Sequence, residues 1–321
     1  MNQLYRALHM PPARLAKKLA GWKEIYTIAL RPVPTAPGCD PLPALGEGDY
    51  IRLPEQPGTW YADPLLFHHE GKRWLFCEAF DMAAGKGDIA VIDLTDPRHP
   101  GTPKTVLTES FHLSFPTVFE WNGGIWMIPE TGTNHSLNLY RCKQFPDQWE
   151  LAHSFSTGDQ ELADTILLDI RPGGLSLLCS QVKAENGLYT RYRRYDLRVD
   201  EQAEGGFALE EDETFGLEHR TYDLGARNAG PLFRWAGQTV RPAQVSTKVD
   251  YGVYLQFWSC RQEKETPLCA AMPANVTIAG LDPASVIGIH TYCRDEDIEV
   301  IDARYLAKVA PIPRQEDPKS C

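Results

Sequence analysis

The feature that most limits how this chain can fold is an internal repeat. Four segments align, and each contains an apolar strand, a turn with glycine and a second apolar strand ending in polar residues: 62–80, 115–131, 163–181 and 229–245. The spacing from an apolar residue of the first strand to a polar residue of the second is 11 positions in three copies (67 to 78, 119 to 130, 233 to 244). In the remaining copy it is 12 (168 to 180), where the turn RPGG accommodates one more residue. Such self-similarity predicts a repeated β-hairpin.

Further strands follow the hairpins, with candidates at 87–94, 137–142, 188–197 and 251–260, and another in the stretch FPDQWELAHSF. The hairpins begin about 50 to 65 residues apart, which fits one four-stranded propeller blade each. A fifth blade is predicted at 278–309, closed by an early strand at 22–30. The sequence therefore predicts an all-β, five-bladed β-propeller. A β-sandwich, or a pair of them, is the alternative that the regular spacing disfavours.

The predicted domain organisation is a basic N-terminal extension (1–21), the propeller (22–309) and a flexible tail (310–321). We expect the extension to be a helix packed on the body or a frayed end, with a weak membrane-surface helix as the alternative. Since no secretory signal is evident, and the eight cysteines have no metal-ligand spacing, we expect a cytoplasmic protein with reduced thiols.

Charge and hydropathy exclude some partners. With 32 Lys and Arg against 43 Asp and Glu, the net charge is −11, which argues against a nucleic-acid partner. No apolar run approaches the roughly 18–20 residues of a membrane span. We expect no metal and no cofactor.

The repeat also predicts where distant side chains meet, because equivalent positions in different blades converge on the propeller axis. One set of equivalent positions is Asp63, Phe115, Asp164 and Gly230, and a second set is Glu78, Glu130, Ser180 and Gln244. Four of these eight residues are carboxylic acids. Paired carboxyls suit glycosyl transfer, in which one protonates the leaving oxygen and the other is base or nucleophile. The alternative is that the aspartates cap turns and the glutamates form ion pairs.

Several other side chains are candidates for binding a ligand at the same place. Arg227 comes just before the fourth hairpin and Arg241 lies near its end, and both suit a phosphate, a sugar carboxylate or the acids themselves. Gln244 ends that hairpin, His290 lies in the fifth blade, and Trp60 precedes the first inner strand, where it can stack on a sugar. The alternatives are an internal ion-pair network for the arginines, a structural histidine and a core tryptophan.

The segments WYADPLLF, LFCEAFD, FPTVFEWNGGIWMIPET and RPAQ carry a family resemblance. Over about residues 50–305 the chain resembles the N-terminal β-propeller domain of plant glucosamine inositolphosphorylceramide transferase, which also occurs in free-standing bacterial proteins. In the plant protein the glycosyltransferase is a separate C-terminal domain, so the resemblance implies the propeller rather than that activity.

That domain is in turn similar to the propellers of glycoside hydrolase family 43, and this similarity implies specific roles for individual residues. Asp63 matches the general base before a proline, and Asp164 matches the aspartate that orients and tunes the acid. The family's acid is a glutamate before Gly-Pro, but here the segment 227–231 reads RNAGP. The departure leaves three possibilities: Glu130 or Glu78 is the acid, the site binds glycans without cleaving them, or phosphate held by an arginine attacks the sugar.

We therefore predict a carbohydrate-active propeller that hydrolyses or transfers a glycosyl unit, with a carbohydrate or sugar phosphate as ligand and a possible partner glycosyltransferase in surface-polysaccharide biosynthesis. The rival hypothesis is a non-catalytic glycan-binding or scaffold propeller.

Overall fold

The structure, a computed structural model, describes residues 9–33, 50–182, 189–213, 219–221, 224–225, 227–247, 250–261 and 264–309. These residues form five antiparallel sheets, each of four or five strands. The five-bladed β-propeller predicted from the repeat is thereby confirmed. The predicted tail at 310–321 and the first eight residues lie outside the described residues.

Three blades follow the hairpin repeat without interruption of their inner strand. Blade I consists of β3 (Thr59–His69), β4 (Lys72–Asp81), β5 (Lys86–Asp93) and β6 (Lys104–Leu107). Blade II consists of β7 (Ser114–Trp121), β8 (Gly124–Glu130), β9 (Ser136–Gln144) and β10 (Gln148–Ser156). Blade III consists of β11 (Glu161–Arg171), β12 (Gly174–Val182), β13 (Tyr189–Val199), β14 (Phe207–Glu211) and β15 (His219–Thr221).

In the other two blades the inner strand is split into two short pieces that both pair with the second strand. Blade IV consists of β16 (Arg227–Asn228), β17 (Phe233–Trp235), β18 (Gln238–Val245), β19 (Tyr254–Arg261) and β20 (Lys264–Ala271). Blade V consists of β21 (Val286–Gly288), β22 (Tyr292–Arg294), β23 (Ile298–Ala307), β1 (Lys23–Pro32) and β2 (Ile51–Arg52). In blade IV the split falls at Gly230-Pro231, where proline has no N–H to donate to a ladder.

The ring closes through the two ends of the chain. The N-terminal strand β1 pairs with β23 over ten consecutive residues, from Lys23 opposite Ala307 to Pro32 opposite Ile298. The predicted closure of the fifth blade by the early strand is therefore present. Because this pairing joins residues about 270 positions apart, it assembles blade V from strands at opposite ends of the described chain and so closes the ring.

Apolar side chains of neighbouring blades pack face to face and form the core. One cluster joins blades V and I and includes Leu30, Leu75 and Val300, all of them buried. Another joins blades II and III through Ile128, Leu177 and others. Each blade is therefore stabilised mainly by burying its two faces between its neighbours, as the alternation of strand residues requires.

Outside the blades, helix α1 (Pro12–Leu19) precedes β1, and short 3₁₀ turns occur at Gly132–Asn134, Glu204–Gly206, Pro273–Asn275 and Pro283–Ser285. Arg14 attaches α1 to the propeller, because its buried guanidinium pairs with Glu24 at 2.6 Å and with Asp250 at 2.5 Å. Within the described part of the chain, no helix has both the length and the apolar character needed to cross a membrane.

Candidate active site at the propeller axis

The first set of repeat-equivalent residues shares an unusual backbone conformation. Asp63, Phe115 and Asp164 have φ of 51°, 44° and 49°, and Gly230 has φ of 141°. In the three uninterrupted inner strands, the pairing register shifts at this point, which marks a bulge. Aspartate tolerates left-handed backbone better than most residues, whereas phenylalanine rarely adopts it. The alignment read from the sequence thus corresponds to one structural position in four blades.

The bulges are joined to the second set of residues across blade boundaries. The Asp164 N–H of blade III donates to Glu130 Oε2 of blade II at 3.1 Å, and the Asp63 N–H of blade I donates to Asp302 Oδ2 of blade V at 3.0 Å. In the same way, the Asn228 N–H of blade IV donates to Ser180 Oγ of blade III at 3.1 Å. Polar side chains at the ends of second strands thus satisfy backbone donors of the next blade, at the bulge itself in blades I and III and two residues before Gly230 in blade IV.

These contacts bring five carboxyl groups together around the axis. We call this group the axial acid cluster, and its members are Asp63, Glu78, Glu130, Asp164 and Asp302. The carboxyl of Asp63 is close enough to Glu78 and Glu130 to raise the pKa of both. The structure thus brings the four predicted acids to one place and adds a fifth, Asp302.

Asp63 is held by neutral and cationic partners of blade V. Its Oδ1 accepts a hydrogen bond from the Thr291 hydroxyl at 2.8 Å and lies 3.6 Å from His290 Nε2. His290 Nδ1 in turn lies 2.6 Å from Asp302 Oδ2. Burial acts to lower the pKa of His290, but Asp302 and Asp63 outweigh it, so that this pKa is raised. His290 lies at the cluster in ion-pair contact with two of its acids, and its predicted contact with a ligand stays a prediction.

Asp164 is locked by Arg227. Arg227 Nε donates to Asp164 Oδ2 at 2.5 Å and Nη2 donates to Oδ1 at 2.8 Å, a bidentate pair, while Nη2 also reaches Glu130 at 3.4 Å. The side chain of Asp164 is 3% exposed and that of Arg227 is 20% exposed. Arg227 therefore joins the predicted site mainly as the counter-ion of Asp164, and its guanidinium carbon lies over the Tyr251 ring, 5.0 Å from the centroid.

Burial and neighbouring acids raise the pKa values of Asp63, Glu130 and Glu78 by different amounts. Burial, together with Asp302 and Asp164, raises the pKa of Asp63 to about 6. Burial and Asp164 raise the pKa of Glu130 to about 8, although Arg227 opposes this. Burial, Asp63, Glu130 and Asp302 raise the pKa of Glu78 well above its usual value. The surroundings of the cluster therefore favour the protonated form of Glu130 and Glu78 more than that of Asp63.

Aromatic side chains line one side of the cluster. We call them the aromatic arc; along the arc the members are Tyr251, His290, Tyr26, Trp60, Phe80 and His112. Trp60 stacks on Phe80 with ring centroids 4.3 Å apart and lies 5.1 Å from Tyr26. The predicted site residue Trp60 is thus half-buried beside the cluster, in a row of rings of the kind on which sugars stack.

The structure places the two remaining predicted ligand contacts in the protein interior. Arg241 is 1% exposed and donates to both carboxylate oxygens of Glu265, at 2.6 and 2.8 Å, and to the Tyr192 hydroxyl at 2.8 Å. Gln244 is 2% exposed and donates to the Asn228 carbonyl at 2.9 Å. Arg241 forms the internal ion-pair network that was its alternative, and these contacts do not favour a ligand role for it.

One group in the described chain has the donor atoms of a metal site. Ligand atoms of Asp63, His290 and Asp302 all lie within 4.8 Å of one another. Asp302 Oδ1 accepts from the N–H groups of His290 and Thr291, at 3.0 and 2.9 Å, and its Oδ2 accepts from Asp63 N–H. These contacts form an ion pair between His290 and the two aspartates, and backbone N–H groups donate to Asp302.

A large cavity lies elsewhere. It measures about 770 Å³ and is bounded by the turns of the inner hairpins, among them His69, Asn122 and Ile170. His69 and Ile170 are each six residues along their strands from Asp63 and Asp164, or roughly 20 Å at 3.3 Å per residue. None of the residues predicted for the site lines it.

Sequence reasoning missed four contributors to the site: Asp302, Tyr26, Tyr251 and His112. Asp302 occupies in blade V the position that Glu130 occupies in blade II. Aligning the fifth blade with the other hairpins would have found it. Tyr26 comes from the closing strand β1, while Tyr251 and His112 come from loops outside the repeat. The sequence carries no comparable signal for these three.

Comparison with known sequences identifies the region that carries the repeat. Residues 50–266 match the family model of "Glucosamine inositolphosphorylceramide transferase 1, N-terminal". The curated relative from Oryza sativa subsp. indica, named glucosamine inositolphosphorylceramide transferase 1, is 30% identical over 189 residues, which cover 59% of this chain and 24% of the relative. The protein of the same name from Arabidopsis thaliana is 38% identical over 96 residues, covering 30% of this chain and 12% of the relative. The chain thus spans a quarter or less of these relatives.

Comparison with solved structures supports the fold. An α-L-arabinofuranosidase from Podospora anserina in complex with cellotriose aligns with a TM-score of 0.51 and 11% identity, covering 82% of this chain and 94% of that one. The catalytic domain of a Coprinopsis cinerea family 62 α-L-arabinofuranosidase aligns with a TM-score of 0.51 and 10% identity, covering 87% and 97%. At such identities the likeness extends to the propeller alone.

Proposed function

The chain belongs to the glucosamine inositolphosphorylceramide transferase 1 N-terminal family, and from that premise we propose that it acts on carbohydrate, hydrolysing or transferring a glycosyl unit at the axial acid cluster. The observation that carries the proposal is the convergence of Asp63 and Glu130 in one buried acid cluster, in surroundings that raise the pKa of Glu130 more than that of Asp63. Two carboxyls whose environments separate their pKa values are what a general acid and a general base or nucleophile require.

We assign Asp63 as base or nucleophile and Glu130 as acid. Between the two candidate acids, Glu130 has the more accessible side chain, 15% exposed against 7% for Glu78. Its pKa, raised to about 8, also lies close to neutral pH, where proton donation is most efficient. Asp164, fixed by Arg227, orients Glu130 through its backbone N–H.

The ligand class follows from the surroundings of the cluster. The aromatic arc offers ring faces for a sugar, and the exposed edge of Arg227 offers donors to hydroxyl or phosphate oxygens. A carbohydrate or sugar phosphate fits both. A partner glycosyltransferase, a role in polysaccharide biosynthesis and a cytoplasmic location remain predictions.

The test is turnover of a panel of glycosides and sugar phosphates by wild type, Asp63→Asn and Glu130→Gln. We expect each substitution to lower kcat/KM by about 100-fold or more, as loss of an acid or base does. Glu120→Gln, which changes an exposed glutamate of β7 (63% exposed), is the matched control and should behave as wild type. Full turnover by Asp63→Asn would reject the assignment.

A specific observation favours the rival function, a glycan-binding propeller without catalysis. Arg227 stands in the segment where the resemblance to family 43 places the acid, and it holds Asp164 in a bidentate pair. If this hypothesis holds, wild type and Asp63→Asn bind the same immobilised glycans and neither turns over any member of the panel.

A further inference from the structure

His112 lies beside Glu78 in a contact that the proposed chemistry does not use. The residue precedes β7, and its Nε2 lies 3.5 Å from Glu78 Oε1. That oxygen is buried and has no hydrogen-bond partner among the described residues. The side chain of Glu78 is 7% exposed and that of His112 is 31% exposed. A buried oxygen without a partner, facing a ring nitrogen, is an arrangement that calls for an explanation.

The tautomer of His112 is fixed from its other side. The Gly87 N–H donates to His112 Nδ1 at 3.0 Å, so that Nδ1 serves as acceptor and the neutral ring carries its proton on Nε2. Protonation of Nδ1 would break this bond. The Leu113 N–H also donates to the Gly87 carbonyl at 2.9 Å, which attaches the segment carrying His112 to β5.

The absence of a side chain at Gly87 makes this arrangement possible. A Cβ at that position would lie 2.5 Å from the Leu113 carbonyl oxygen, 2.6 Å from Glu78 Oε1 and 2.9 Å from His112 Cε1. These distances are too short for a carbon, and one of the contacts is to backbone. Gly87 therefore allows the histidine, the carboxyl and the β5 backbone to meet at one point.

The surroundings of Glu78 favour its neutral form. Unlike Glu130 and Asp302, its carboxyl accepts no N–H from a neighbouring bulge among the described residues. The acidic groups near it are Asp63 from β3, Glu130 from β8 and Asp302 from β23, and each of them raises its pKa. Near His112 lie Lys86 and Asp88, which pair with each other. With acids on three sides, an ionised Glu78 would be repelled.

We propose that His112 is a positioning residue, locked as the Nε2–H tautomer, that orients Glu78 as a neutral hydrogen-bond donor in the axial acid cluster. Since Oε1 lies 3.5 Å from the ring nitrogen that carries the proton and has no other partner among the described residues, we place the acid proton on Oε2, away from the ring. Its partner is an acceptor oxygen of the bound ligand, such as a glycosidic, ring or hydroxyl oxygen of a sugar. This last step depends on the proposed function, whereas the orientation of Glu78 does not.

The orientation is tested without substrate by NMR of the full chain at neutral pH. We expect the ¹⁵N shifts of His112 to show the Nε2–H tautomer. We also expect the carboxyl ¹³C signal that disappears in Glu78→Gln to have the shift of a protonated acid. A carboxylate signal for Glu78, an Nδ1–H tautomer or an imidazolium would overturn the inference. The NMR result does not depend on whether the chain turns over a glycoside. Failure of this inference can therefore be distinguished from failure of the proposed function.

Two pairs of variants test the donor role on any glycoside that wild type turns over. Glu78→Gln keeps an N–H donor, whereas Glu78→Met has none, and we expect kcat/KM to be about tenfold lower in the second, the equivalent of one hydrogen bond. His112→Gln reaches Glu78 with an amide donor, whereas His112→Asn is too short, and we expect the first to retain more activity. Equal losses within both pairs would indicate a merely structural role and contradict the proposal.

Discussion

Replacing Glu130 by glutamine should remove one part of the pH dependence of the stability of the chain. In the folded chain, burial and Asp164 raise the pKa of Glu130 to about 8, from an ordinary value of 4.5. Between these two values the folded state holds a proton that the unfolded state has released. The free energy of unfolding therefore falls as pH rises through this window.

The magnitude follows from the width of the window. Each pH unit in which only the folded state is protonated costs about 1.4 kcal/mol of stability. From about pH 5 to about pH 8, Glu130 alone should lower the unfolding free energy of wild type by about 3 kcal/mol. Glutamine has a similar shape and no titration, so Glu130→Gln should lack this part of the loss.

The assay is urea unfolding of wild type and Glu130→Gln at constant ionic strength over that pH range, with Glu120→Gln as the control on an exposed glutamate. We expect the variant to gain on wild type steadily as pH rises, while the control stays parallel to wild type. If Glu130→Gln also stays parallel, the carboxyl is ionised near its ordinary pKa and the assignment of Glu130 as acid loses its basis.

Three other substitutions probe the contacts that position the site, each measured by urea unfolding at neutral pH. Arg227→Met leaves the buried carboxylate of Asp164 without its cation and should cost about 3–5 kcal/mol, much of which Arg227→Met/Asp164→Asn recovers. Gly87→Ala places a carbon 2.5 Å from a backbone oxygen and should cost about 1–3 kcal/mol, whereas Gly174→Ala, whose Cβ would lie 3.5 Å from the Leu197 carbonyl oxygen, should not show this overlap. Arg14→Ala breaks two ion pairs of helix α1 and should cost about 1–3 kcal/mol; unchanged stability would mean that the helix is not docked.

The sequence predicted the fold and the position of four acids because both depend on repeat register. Each copy of a hairpin that repeats at a fixed spacing forms one blade, and residues at equivalent positions in the hairpins meet at the propeller axis. The shared left-handed backbone at Asp63, Phe115 and Asp164 shows that the alignment was correct to the residue. The role of each acid as base, acid or orienting group stays a prediction.

The contacts that set the charge of those acids could not be predicted in this way. Arg227 and Asp164 are 63 positions apart, and nothing local in the sequence distinguishes their pairing from an arginine free to bind a ligand. Asp302 lies in the blade that the chain ends assemble, where the split inner strand hides the repeat. His112 belongs to a connecting segment, and the length and course of such segments are not fixed by the blade pattern.

The most direct test of the account is a crystal structure of Asp63→Asn soaked with the glycans that the chain binds. We predict sugar density over the axial acid cluster, within hydrogen-bond distance of position 63 and Glu130 and stacked on Trp60 or Tyr26. Density confined to the cavity at the hairpin turns, with the axial cluster still closed by its own contacts, would contradict the account.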